Sequence, residues 1–131
     1  MILIVLLVLA LFVLQTLLPN RFREPAPAGQ TITLAESLGP RDNPRPYTAL
    51  GGRAARALAN MQEALPVFLA LALLNMIAGT AAAMAITGGW LFLIARVLYV
   101  PAYLSGIPVI RTLIWAVGWA RAFSIWPAAG R

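Results

Sequence analysis

Two groups of side chains in this sequence could do chemistry. The first is Arg53, Arg56, Asn60 and Glu63, in the stretch RAARALANMQEALP. On a helix at about 100° per residue these four fall within roughly an 80° sector and form one polar stripe. The second is Arg96, Tyr99 and Tyr103, spaced i, i+3 and i+7, within roughly a 60° sector of a second helix. Arg111 and Thr112 lie further on, followed by Trp115 and Trp119. Guanidinium groups fork onto carboxylates, a glutamate can take an ammonium group, and an asparagine can bond amides. The arginines outnumber the acid, so the set asks for an anionic ligand. A zwitterionic, peptide-like molecule with two carboxylates would satisfy it.

The rest of the inventory narrows the chemistry. The chain has no cysteine and no histidine. That removes disulfides, thiol catalysis by the protein, His-ligated haem and the usual zinc sites, together with the side chain most often used as a base near neutral pH. All ten basic residues are arginine, and with four acids the formal charge is +6. They lie in loops and at helix ends, where membrane topology and lipid headgroups account for them. Nucleic acid is not expected as a partner.

The elements that must position these groups are apolar. Of the 131 residues, 61% are hydrophobic and only 11% charged, against about 25% charged in an ordinary soluble domain. The sequence therefore predicts an all-α integral membrane protein, a single four-helix bundle with spans at about 1–18, 55–78, 81–103 and 108–125 and a polar loop over 19–52. Residues 1–18 lack a basic leader and a small-residue cleavage site, so they read as a first membrane helix rather than a signal peptide. The loop is rich in proline, which lacks an N–H and restricts the residue before it, with a short helical turn expected around 34–38. The second helix should start near Leu50, with Pro66 bending it. Gly88-Gly89 either breaks the third helix or starts it. Arg21, Arg23, Arg41, Arg45, Arg53 and Arg56 follow the first span. The positive-inside rule then places that loop in the cytoplasm and both termini outside. Small residues Ala54, Ala57, Ala64 and Ala72, with Ala81 and Ala85 on the third helix, permit close helix approach and would suit an oligomer.

Taken singly, each polar residue has an ordinary explanation. Arg and Trp anchor helix ends, Tyr belongs to an interfacial belt, and Glu63 could pair with Arg56 or Arg96 to join helices. Together they are harder to dismiss, because an ionised group at the centre of a span costs about 2.5–3.5 kcal/mol.

Arg56-Ala-x-x-Asn60-x-x-Glu63-x-x-Pro66 followed by an apolar run resembles the second-helix signature of the MAPEG family, the membrane-associated proteins of eicosanoid and glutathione metabolism. Arg96-x-x-Tyr99-x-x-x-Tyr103 resembles the third-helix signature, and the pieces LGPRD and ARVLYVPAY are similar to the bacterial branch. The resemblance covers about 38–118. It implies a homotrimeric four-helix bundle with glutathione as co-substrate between neighbouring subunits, near the cytoplasmic side of a bacterial inner membrane. Carried over by position, Arg56, Asn60, Glu63, Tyr99 and Tyr103 would hold glutathione. Arg96 matches an arginine of some members, and Arg53 joins the same stripe. Arg111, at the start of the fourth helix, would be the catalytic residue that stabilises the glutathione thiolate, since a nearby cation lowers a thiol pKa from its usual ~8.5. The implied function is a glutathione-dependent transferase or peroxidase acting on a lipophilic small molecule that enters from membrane lipid. The alternative is a non-catalytic protein of the same fold that binds an anionic lipid or metabolite or scaffolds other membrane proteins. A transporter or channel fits least well: four spans are few for a carrier, no span has a mid-membrane acid suited to ion coupling, and the first helix offers a pore only Gln15 and Thr16.

Overall fold

The computed structural model describes residues 1–29, 44–78 and 83–106, with single positions at 31, 33, 39 and 116. Three long helices carry the described chain: α1 (Ile2–Arg21), α2 (Ala49–Ile77) and α3 (Ala83–Ser105). Each has the length and apolar composition to cross a membrane. At 1.5 Å per residue, the 20 residues of α1 span about 30 Å, the thickness of a bilayer's hydrocarbon core. The 29 residues of α2 span about 44 Å, so α2 is the element with length to spare. The expected fourth helix at 108–125, Arg111, and the turn at 34–38 lie outside the described residues.

The helices run up, down and up. The reversal between α1 and α2 is closed by backbone pairing: Thr48 N donates to Phe22 O at 3.0 Å and Glu24 N to Pro46 O at 3.0 Å, around an antiparallel bridge of Arg23 with Tyr47. Thr48 also caps α2. Its hydroxyl accepts from Gly51 N at 3.2 Å and donates to Phe22 O at 2.8 Å, satisfying one of the otherwise orphaned first-turn donors. Any side chain at Gly51 would collide with the Phe22 carbonyl oxygen, which is why glycine stands there. Arg23 stacks over the Tyr47 ring, 4.3 Å from its centroid, and donates to the Arg45 carbonyl, while Arg45 donates to the Glu24 carbonyl at 2.7 Å.

Two local readings change. Helix α1 continues through Pro19 to Arg21, and α2 begins at Ala49, so both helices reach into the stretch read as the polar loop 19–52. Proline near a helix end removes a single backbone bond, and α1 tolerates it. Gly88-Gly89 neither breaks nor starts α3, which runs straight through it. A Cβ at Gly89 would press to 3.2 Å from Ile4 Cδ1. The glycine lets α1 and α3 approach closely rather than turning the chain.

The core lies between the three helices, with Ile4, Val8, Met61, Phe68, Leu71 and Phe92 among its buried residues. The Phe68 and Phe92 rings stack at 4.3 Å and 8°. Ala54, Ala57, Ala64 and Ala72 are all buried inside this protomer, and so is Ala85. Their small size brings α2 against the chain's own helices, so they are not free to serve an oligomer contact as the sequence suggested. The outward faces carry exposed apolar side chains such as Leu3, Leu14, Leu73, Ile77, Val97 and Leu98, as a surface in lipid requires.

Candidate ligand site at the polar end of the bundle

The C-terminus of α1, the N-terminus of α2 and the C-terminus of α3 meet at one end of the bundle, and every polar residue of the two stripes that the structure describes lies towards it. On α2 the stripe divides. At 100° per residue Arg53 and Asn60 occupy one edge of the 80° sector and Arg56 and Glu63 the other. The first edge faces α3: Asn60 Oδ1 accepts from Arg96 Nη1 at 2.9 Å, and Arg53 Nη1 donates to Leu104 O at 2.8 Å. The second edge is exposed on the protomer surface. No ion pair joins Glu63 to Arg56 or Arg96 among the described residues, so Glu63 is not the glue between helices that one reading allowed.

Arg96 is the unusual member. It is only 2% exposed, and it stands nine residues, about 14 Å of helix, inward from the end of α3 at Ser105. Its guanidinium carbon lies 5.1 Å from the centroid of the Phe92 ring and 5.6 Å from that of Tyr99. Aromatic faces attract a cation modestly. Only Nη1 has a hydrogen-bond acceptor; Nε and Nη2 are buried with none among the described residues. Removing a buried charge's partners is strongly destabilising in general, so a cation held by one amide and two rings has donors in reserve. Tyr99, buried, and Tyr103, half-buried, follow on the next two turns with ring centroids 5.4 Å apart.

The structure thus brings Asn60, Arg96, Tyr99 and Tyr103 together, sets Arg53 against the last turn of α3, and leaves Arg56 and Glu63 facing outward. Two polar side chains escaped the sequence reading as site residues. Gln15 of α1 is 5% exposed and its Oε1 has no partner among the described residues; Asn75 of α2 is 2% exposed. A polar residue isolated in an apolar helix was the signal in both cases.

The model of the MAPEG family matches residues 1–131. The chain belongs to the MAPEG family. No curated protein and no solved structure matches it. Membership makes this an integral membrane protein of the family's helical type, and the two polar stripes hold the ionisable groups of α2 and α3.

Proposed function

We propose that this MAPEG protein is a membrane-bound, glutathione-dependent transferase or peroxidase for lipophilic substrates. The observation that carries the reading is Arg96, a buried guanidinium inside a membrane helix whose Nε and Nη2 have no acceptor among the described residues. The two donors fit one carboxylate of glutathione, with Asn60 holding the guanidinium in place from behind. Tyr99 and Tyr103 offer hydroxyl groups on the same side of α3. Arg56 and Glu63 suit the second carboxylate and the ammonium group. Because they face outward from the protomer, the reading includes a second copy of the chain completing the site, as in a homotrimer. Arg111 is assigned to the sulfur, where a cation favours the thiolate; the thiolate then attacks an electrophile or a peroxide arriving from lipid. The reading places the protein in a bacterial inner membrane with the 22–48 connection on the cytoplasmic side.

The test is calorimetric titration of glutathione into the detergent-purified protein and into Arg96→Met, with thiolate absorbance followed in the ultraviolet. The wild type should saturate, and Arg96→Met should bind at least about tenfold more weakly, as expected for lost charge-assisted hydrogen bonds. Thiolate formed at neutral pH supports the enzyme, whereas binding without thiolate leaves a binding protein. No binding at millimolar glutathione, with retention of anionic lipid instead, overturns the reading in favour of a lipid headgroup.

A further inference from the structure

Arg53 shares a stripe with Arg56, Asn60 and Glu63, and by residue type it looks like one more group for an anion. Its contacts say otherwise. Nη1 donates to the carbonyl of Leu104 at 2.8 Å. The guanidinium then lies flat against Gly106: a Cβ there would come within 2.8 Å of Cζ and 2.9 Å of both Nη atoms. Gly106 has φ of +79°, the left-handed conformation that ends many helices and favours glycine. Its N–H donates to Tyr103 O at 3.2 Å. The last turn of α3 therefore has Tyr103 O satisfied by Gly106 and Leu104 O satisfied by Arg53. A cation at that place also suits the negative end of the helix dipole.

We propose that Arg53 is a positioning residue, not a ligand residue. It ties the first turns of α2 to the last turn of α3. Those two pieces of chain carry the groups assigned above to the ligand: Arg56 and Asn60 lie one and two turns along α2 from Arg53, and Tyr103 directly precedes Leu104. Helix α3 contains Pro101, which removes one of its backbone bonds just before that last turn. A terminus weakened in this way needs an outside tie if Tyr103 is to keep one position, and Arg53 is that tie. Gly106 belongs to the same device, since its missing side chain is the space the guanidinium occupies. The inference rests on the glutathione reading for the identity of the ligand, but the tie itself does not.

Two readouts separate these parts. Amide hydrogen exchange over 103–106 in the protein without ligand tests the tie. Arg53→Ala should speed exchange there by about tenfold, Arg53→Lys should restore most of the protection because one ammonium donor suffices for a carbonyl, and Gly106→Ala should resemble Arg53→Ala. Unchanged exchange in Arg53→Ala overturns the tie. Affinities for glutathione and for each of its two carboxylate monoesters test the role. A positioning residue lowers all three by the same factor on Arg53→Ala and is rescued by lysine. A loss confined to glutathione and one ester, absent for the other, marks a direct carboxylate ligand and overturns the proposal. Failure of the wild type to bind glutathione overturns the ligand reading alone, and the exchange comparison still decides the tie.

Discussion

The two ends of this bundle are built on opposite principles. At the apolar end, Ile4 sits against Gly89, and Ile4 and Val8 are essentially buried. Among the described residues there, no buried side-chain polar atom lacks a partner. At the polar end, Arg96 has two buried donor atoms with no acceptor among the described residues, and Arg56 and Glu63 face outward with no ion pair to each other. Helices in lipid are held by close packing rather than by a hydrophobic force between them. The apolar end supplies that packing, and this is what lets the polar end hold groups that contribute little to the protomer's own stability. Where such groups persist at a cost, the natural inference is that something else uses them.

The contrast can be broken from either side. The largest effect is expected at the apolar end. Ile4→Ala should lower unfolding stability in detergent by up to about 5 kcal/mol, through lost burial and the cavity left behind, while glutathione affinity of the protein that remains folded stays within about twofold of wild type, within the additivity expected of distant sites. A large loss of affinity would mean that the two ends are not separable. Next comes a cycle at the polar end. Asn60→Leu leaves Arg96 without its one acceptor and should cost about 3 kcal/mol. Adding Arg96→Met should recover most of that loss, since a buried charge replaced by an apolar side chain of similar size is often neutral or stabilising. If the double variant is as unstable as the single one, the Asn60–Arg96 bond is part of the packing rather than a site held in readiness. The smallest effect sharpens the picture at the join between α1 and α2. Thr48→Ala removes a helix cap and should cost about 1 kcal/mol in chemical unfolding, with ligand affinity unchanged.

The helices themselves were legible because an apolar run of membrane length has few other uses, and the start of α2 near Leu50 followed from the composition change. Both stripes were legible from helical spacing. What spacing could not show was where the stripe on α2 divides. An 80° sector is wide enough for one edge to face a neighbouring helix while the other faces outward, and only the direction of α3 puts Arg53 and Asn60 inside. The alanines posed a related problem: small side chains announce a close approach but do not say to which helix, and here it is within the same chain. Gly88-Gly89 was ambiguous because glycine punctuates chains in water, whereas in this bundle the neighbour Ile4 decides its role. The proposed roles of Arg56, Glu63 and Arg111 rest on resemblance and residue type, and Arg111 falls outside the described residues.

The closure at Phe22 and Thr48 has a consequence for how the sequence can vary. A single carbonyl, that of Phe22, accepts from both the backbone and the hydroxyl of Thr48, and Gly51 admits it at close range. The register of α1 against α2 is therefore fixed before the intervening stretch begins. In closure entropy alone the length of that stretch matters little: doubling it adds only about 0.6 kcal/mol. A nick within it, or its exchange for a short Gly-Ser linker, should leave the helices in place.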